Sequence, residues 1–409
     1  MTKQTPATPL TPDVSWIGIQ DYDLRHFDIV METRFGTTYN SYFINAEKPA
    51  VIETAKAGFW SDYLAKLESV CNPADIAYIV MDHTEPDHSG CLKNLLALAP
   101  NAVVVGSGQA LSYLQEIMGI PFNSLKVKDG DTLSLGNKTL RFIAAPNLHW
   151  PDSIYTFLEE EGILFTCDSF GAHYCFNGIF DDEIEPHTEA FDYYFDVILK
   201  PFSRFMLKAI EKIRPLPVRM IATGHGPVLR KDWKRWVERS EMLADEYMKL
   251  TSTPEKNLLI LYVSAYGYTG EMARHIAEGA SSVSGIRVEC LDIEHTPLEV
   301  IDHALARSQG VVIGSPTINQ NTLLPVYKAF AVMNPIRDRG KVAGAFGSYG
   351  WSGEAVQIIE ANLKALKFKV QSPGLTEKFN PTEKKSEKFY AFGRELAKEL
   401  EGKRAGGEQ

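Results

Sequence analysis

The 409-residue sequence predicts an α+β domain followed by a doubly wound α/β domain. Three observations carry this. From Val14 to about Met248 short strands, loops and helices are mixed, with turn residues between short apolar runs. At Leu250-Thr251-Ser252-Thr253-Pro254-Glu255-Lys256 the composition turns small, polar and Pro-containing, which marks a linker. Beyond it strand and helix alternate strictly, the pattern of a parallel sheet covered on both faces. The expected limits are a disordered arm over 1–12, a first domain over 13–250, a linker over 251–256, a second domain over 257–402 and a tail over 403–409.

Bulk properties exclude several function classes. Apolar residues make up 44% of the chain, enough for packed cores, and the net charge is −10. An acidic chain is a poor partner for nucleic acid or anionic membranes. No stretch is apolar and long enough to span a bilayer. The segment Met1 to Pro12 lacks a charged-then-apolar signal pattern, and Cys71, Cys91, Cys167, Cys175 and Cys290 form no C-x-x-C pair. Scattered thiols fit a reducing cytoplasm and leave no room for a fused thiolate-iron domain.

In the first domain, Trp16 to Tyr22, His26 to Thr33, Ser41 to Asn45 and Ala50 to Thr54 read as strands, and Phe59 to Val70 has helical spacing. The run Ile76 to Met81 reads as a buried strand. Leu92 to Leu98 and Gln109 to Met118 read as helices flanking a strand over Asn101 to Gly106. Leu133 to Leu135 and Leu140 to Ala144 read as a hairpin around Gly136-Asn137. A charged helix, Lys231 to Lys249, closes the domain.

The domain is organised around Asp82-His83-Thr84-Glu85-Pro86-Asp87-His88-Ser89-Gly90, directly after the strand ending at Met81. His83, Glu85, Asp87 and His88 are metal-binding residue types packed into one strand exit, and turns favour Gly, Asn and Ser over two histidines. Residues two apart in an extended chain share a side, so His83 and Glu85 aim one way. Pro86 bends the chain, and Asp87 and His88 aim at a second point. The same setting recurs at His149 after Leu140 to Ala144, at Asp168 after Ile163 to Thr166, and at His225 after Met220 to Thr223. Four strand exits each offering a donor point to one metal centre. Cys167, next to Asp168, is expected as a small core filler. His173 is read as a neighbour of the centre, a pocket residue or a surface residue. His26 and His187 are expected to be structural or exposed, and Lys56 is weighed at the mouth of the site.

In the second domain the strands are Leu258 to Val263, Ile286 to Leu291, Gly310 to Gly314, Val342 to Phe346 and Phe368 to Val370. The helices are Glu271 to Ser282, Leu298 to Arg307, Pro325 to Met333, Glu354 to Leu366 and Glu383 to Leu400. Three strand-end loops carry chemistry. Ser264, Tyr266, Gly267, Tyr268, Thr269 and Gly270 combine hydroxyls and glycines with a helix N-terminus, an anion-binding arrangement. No lysine follows the glycines, so this is not a P-loop. Ser315, Pro316, Thr317, Asn319 and Gln320 follow the third strand. Ser348, Tyr349, Gly350, Trp351 and Gly353 follow the fourth, with aromatics that can flank a flat ring while amides reach its edge.

The ordered set His83, Glu85, Asp87, His88, His149, Asp168 and His225 resembles the metallo-β-lactamase superfamily, implying an αββα sandwich over Val14 to Met248. Glu85 stands where the zinc hydrolases of that superfamily have histidine. Carboxylate oxygen mixed with imidazole suits iron, and two ferrous ions with a bridging hydroxide balance the three carboxylates. The second half resembles flavodoxins, implying FMN on the three loops. Together the halves resemble flavodiiron proteins, which reduce dioxygen to water, nitric oxide to nitrous oxide, or both. By that resemblance His83, Glu85 and His149 hold one iron, Asp87, His88 and His225 the other, and Asp168 bridges. Some members lose the donor at the position of His88; this chain keeps it. The resemblance also implies a head-to-tail homodimer or a dimer of dimers, and electrons from a separate rubredoxin or reductase. The choice of gas is expected to lie in pocket residues such as His173 or Tyr268. Two other readings stay open: a dinuclear zinc hydrolase with an accessory flavodoxin domain, and a non-catalytic flavin redox sensor.

Overall fold

The computed structural model describes residues 5–27, 31–252, 255–381 and 383–402. It falls into two compact units, 1–247 and 248–409. The ends of the expected arm and tail (1–4 and 403–409), part of the expected strand over His26 to Thr33 (28–30) and part of the expected linker (253–254) lie outside the described residues.

The first unit is built on two sheets. One runs, edge to edge, Thr8–Pro9, Val14–Trp16, Tyr42–Ile44, Ala50–Ile52, Tyr78–Met81, Val103–Gly106 and Ser124–Lys126. The other runs Thr132–Ser134, Thr139–Ala144, Ile154–Leu158, Ile163–Cys167 and Met220–Thr223. Strand periodicity decides which side chains meet. Val80, Ile52, Tyr42 and Trp16 of the first sheet share a core with Phe142, Leu140, Ile163 and Phe165 of the second, so the sheets pack face to face. Their alternates point outward. Ile79 and Met81 pack with Leu67, Leu95 and Leu111 from helices Trp60–Glu68, Leu92–Leu98 and Gly108–Met118. Leu164 and Ile221 pack in the same outer cluster as Met206 and Ile210 of helix Ser203–Ile213 and Trp236 of helix Trp233–Thr251. This is the αββα sandwich.

Several expectations are corrected. Residues 5–12 are not a free arm: Thr8–Pro9 pairs with Val14–Trp16, and the Thr5 amide donates to Gln20 Oε1 at 3.0 Å. The strand expected over Trp16 to Tyr22 splits into Val14–Trp16 and Ile19–Asp21, which join different sheets. Between them Gly18 passes so close to the Tyr39 carbonyl that an added Cβ would sit 2.6 Å from it. Strand Ile154–Leu158 and the helical run Thr188–Tyr194, Phe195–Leu199 and Ser203–Ile213 were not anticipated.

The second unit is a parallel sheet in the order Ile286–Asp292, Lys256–Tyr262, Gly310–Gly314, Val342–Tyr349, Lys369–Val370. That is the 2-1-3-4-5 order of flavodoxin-like folds. The fifth position comes in two pieces: Lys369–Val370 pairs with the start of Val342–Tyr349, and Leu375–Lys378 with its end. Alternate residues feed opposite cores. Leu259, Leu261, Val311 and Ile313 pack with Ile301, Val326 and Ile359 on one face. Leu258, Ile260 and Val312 pack with Met272, Ile276, Phe389 and Leu396 on the other. The fourth strand reaches Tyr349, so Ser348 and Tyr349 are strand residues and not loop residues as expected.

Candidate metal centre

The seven predicted donors of the first unit come together at the carboxyl ends of four strands. His83 leaves Tyr78–Met81, and Glu85 stands immediately before a short helical turn, Pro86–Ser89, with Pro at its first position. The turn carries Asp87 and His88 to a second point. Asp168 follows Ile163–Cys167 directly, and His225 follows Met220–Thr223.

The donors form two groups: His83, Glu85, His149 and Asp168, and Asp87, His88 and His225. In the first, Glu85 Oε2 lies 3.1 Å from His83 Nε2 and 3.0 Å from His149 Nε2. Asp168 Oδ2 lies 3.4 Å from both nitrogens. In the second, Asp87 Oδ2 lies 3.2 Å from His225 Nε2 and 3.8 Å from His88 Nε2. Asp168 Oδ1 lies 3.2 Å from His88 Nε2 and 3.4 Å from His225 Nε2. One carboxylate thus turns an oxygen to each group.

Other contacts hold the rings in place. His225 Nδ1 donates to the Thr38 carbonyl at 2.6 Å, which leaves the Nε2 lone pair facing inward. His83 Nδ1 lies 3.3 Å from Asp152 Oδ2, which also accepts from the Thr84 amide and hydroxyl at 2.9 and 2.8 Å. His88 Nδ1 lies 3.0 Å from Glu53 Oε2. Such outer partners fix tautomer and ring orientation. The Tyr194 hydroxyl donates to Asp168 Oδ1 at 3.2 Å.

The charge pattern favours cations. Burial pulls the His83 imidazole down, but Asp152, Glu85 and Asp168 outweigh it and hold the ring up at about 10. Burial pushes the Asp168 carboxyl up, yet His88, His83 and His149 hold it well below the usual range. Both oxygens of Asp87 and Asp168 Oδ2 are buried without a hydrogen bond. Buried carboxylates in this state require positive charge. Two donors each ~2.1 Å from one ion stand ~3.0–3.4 Å apart at 90–109°, using ordinary metal–ligand lengths. All the separations given above fall in that range except the wider 3.8 Å between Asp87 Oδ2 and His88 Nε2, and the mix of imidazole and carboxylate fits iron.

Of the remaining histidines, His173 is buried, which removes the surface reading. Its Nδ1 bonds Thr37 Oγ1 at 2.9 Å, and its ring lies 5.2 Å from that of His225. Burial and the nearby His225 push it down to about 3, so it is neutral. His187 is buried and packs 4.3 Å from the Trp236 ring, and His26 is exposed. Cys167 is buried beside His88 and Asp168, as close as a donor would be. Lys56 Nζ sits 5.7 Å over the Tyr39 ring, whose centroid is 6.1 Å from that of His225. Sequence reasoning missed Thr38, Glu53, Asp152 and Tyr194. Asp152 had a signal, lying three residues after His149; Thr38 acts through its carbonyl, so its side chain carried none.

In the second unit the three loop groups also converge. The Thr269 and Ser348 hydroxyls are bonded at 2.9 Å, and the Thr317 amide donates to the Ser348 carbonyl at 2.8 Å. Ser264 Oγ accepts from the Gly270 amide at 3.2 Å. Ser315, next to Pro316, accepts from the Leu323 amide at 3.2 Å through its hydroxyl. Gly267, at φ +86, turns the chain into helix Tyr268–Ser281 and, as the residue before it, offers no side-chain cap of its own. Asn319 and Gln320 make a left-handed turn at φ 53 and 57. Tyr266 and Trp351 stand 82% and 84% exposed on the first and third of these loops, where Gly350 lies beside the Phe379 ring and Gly353 beside the Tyr349 ring. A helix N-terminus, hydroxyls and two solvent-facing aromatics fit a phosphate-bearing flat ring.

Known proteins match both halves. The family described as ODP family beta lactamase matches residues 37–226, and the Flavodoxin family matches residues 260–393. The type A flavoprotein fprA of Rhodobacter capsulatus is 40% identical over 97% of this chain and 92% of its own. The flavo-diiron protein FprA2 of Clostridium acetobutylicum is 37% identical over 97% of this chain and 100% of its own. The crystal structure of the flavodiiron protein from Giardia intestinalis aligns with TM-score 0.65 and 33% identity over 98% of each chain. Rubredoxin oxygen:oxidoreductase from Desulfovibrio gigas aligns with TM-score 0.67 and 28% identity over 97% of this chain and 98% of that one. With relatives matched along nearly its whole length and both domains accounted for, the chain belongs to the flavodiiron protein family, oxidoreductases for which a non-haem diiron site and FMN are implied.

Proposed function

We propose that the protein reduces dioxygen to water, nitric oxide to nitrous oxide, or both. In this reading residues 13–250 form the diiron domain and 257–402 the FMN domain. His83, Glu85 and His149 would hold one iron and Asp87, His88 and His225 the other, with Asp168 shared between them. The observation that carries it is the Asp168 carboxylate, with Oδ2 turned to His83 and His149 and Oδ1 to His88 and His225. When bound, the iron pair and reduced FMN supply the electrons for the gas.

The chain's own residues set the conditions. Asp152 and Thr38 hold His83 and His225 with Nε2 inward. Tyr194 keeps its phenolic proton, its hydroxyl oxygen 3.2 Å from Asp168 Oδ1, because burial and the nearby carboxylate hold its pKa well above the usual value. Phe27, Tyr194 and neutral His173 pack around the His225 ring and keep water from that side. In the FMN domain, Ser264, Gly267, Thr269, Gly270, Ser315, Pro316, Thr317, Asn319 and Gln320 would hold the phosphate and ring edge, and Tyr266, Tyr268, Tyr349 and Trp351 would flank the ring. Ser348, Gly350 and Gly353 supply hydroxyl and backbone there.

The relative named rubredoxin oxygen:oxidoreductase favours a separate rubredoxin-type protein as the electron donor. A head-to-tail dimer, setting one chain's flavin against the other's irons, is part of the reading. One purified sample decides it: iron, zinc and flavin are measured, the protein is reduced without air, and each gas is supplied separately. Two irons and one FMN per chain with turnover of at least one gas are expected. Zinc without iron, or a loaded and reduced protein inert to both gases, would sink the reading. Specific activity that holds steady in a dilution series down to pure monomer would sink the dimer alone.

A further inference from the structure

We propose that Glu53 is the positioning residue that holds the two halves of the metal cage in register. The inference rests on the assignment of His83 and His88 to different irons. Glu53 follows strand Ala50–Ile52, which runs parallel to the strand leading into His83. It is 2% exposed and carries a left-handed backbone at φ 58, which an L side chain with a Cβ adopts only under constraint. The constraint is visible. Its amide donates to the Val80 carbonyl at 2.8 Å, and its carbonyl accepts from Ser41 Oγ at 2.8 Å. Ser41 Oγ is in turn 3.1 Å from the Tyr63 hydroxyl.

Held this way, the carboxylate reaches both irons' donors. Oε1 accepts from the amides of Asp82 and His83 at 2.5 and 2.9 Å, fixing the loop that presents His83 and Glu85. Oε2 lies 3.0 Å from His88 Nδ1, a charge-pair contact short of hydrogen-bond geometry, and this buried oxygen has no hydrogen-bond partner. The next residue grips the same histidine: the Thr54 amide and hydroxyl both donate to the His88 carbonyl, at 2.9 and 2.5 Å. A carboxylate at Nδ1 keeps the proton there and leaves the Nε2 lone pair facing Asp168 Oδ1. Glu53 therefore acts on one iron through backbone placement and on the other through a ring tautomer.

Glu53→Gln separates these two actions. The amide oxygen still serves Asp82 and His83, but its N–H₂ then faces His88 Nδ1, and two donors cannot pair. The full-length chain is compared with this variant, each loaded with iron for metal counts and with zinc as a diamagnetic probe for histidine NMR. The wild type is expected to bind two ions and to show a slowly exchanging His88 Nδ1–H proton. The variant is expected to melt as a folded protein, lose that proton signal, and bind the second ion ~10–100-fold more weakly while keeping the first. A variant that binds both ions as tightly, with the His88 signal unchanged, overturns the proposal. If the variant does not fold, a zinc-loaded wild type lacking the His88 Nδ1–H proton overturns it alone. A wild type that binds fewer than two ions indicts the assignment of the irons instead.

Discussion

Asp152 is the carboxylate through which His83 is oriented: it meets His83 Nδ1 at 3.3 Å and is fixed by both Thr84 donors. Asp152→Asn keeps the shape and removes the charge that favours an Nδ1–H tautomer. Affinity for the ion held by His83 should fall ~10–100-fold while the ion held by His88 and His225 stays, as seen by iron titration. A second residue-scale consequence concerns Lys66, buried with Nζ 4.4 Å from the Trp16 ring and donating to the Gly18 carbonyl at 2.5 Å. Burial lowers its ammonium from 10.5 to about 7. The folded pKa lies below the unfolded one, so between pH 7 and about 10 the unfolded chain binds more protons. Stability contributed here should rise with pH across that window. Lys66→Met should flatten the rise, measured by urea unfolding at several pH values.

At the scale of elements, helices Tyr268–Ser281 and Glu383–Gly402 approach until backbone touches backbone. A Cβ added at Gly279 would sit 1.9 Å from the Tyr390 carbonyl, and one at Gly393 would sit 2.0 Å from the Ile276 carbonyl. Gly393→Ala should destabilise the flavodoxin unit by on the order of 1–3 kcal/mol or more, read from its thermal transition and from loss of FMN. Elements were legible where period and punctuation agreed. Helix Leu92–Leu98 and strands Gly310–Gly314 and Met220–Thr223 stand where the pattern puts them. The convergence of seven donors was legible because they cluster at the exits of only four apolar strands. Contacts that depend on chain neighbours far apart in sequence were not. Glu53 meets His88 across 35 residues of chain, and Thr38 meets His225 through a carbonyl that every residue type carries. Helix Ser203–Ile213 was readable, since Met206, Ala209, Ile210 and Ile213 have helical spacing, yet it went unanticipated. The split at Gly18 follows from a steric limit that the local pattern does not encode.

At the scale of the molecule, two units with separate cores carry two different cofactor sites. Anything that binds only the folded form stabilises the unit that holds it. Calorimetry should therefore show that chelating the iron lowers the transition of the first unit, while stripping FMN lowers that of the second. A single transition shifted equally by both treatments would mean that the units unfold together. The helix Glu383–Gly402 brings one more consequence. It supplies Phe389, Leu396 and Leu400 to the face formed by Leu258, Ile260 and Val312, a face that no earlier segment of that unit covers completely. During synthesis this half must wait, with an oily sheet showing, until helix Glu383–Gly402 has emerged from the ribosome. The iron-binding half, finished some hundred and fifty residues earlier, is free to collect its metal meanwhile.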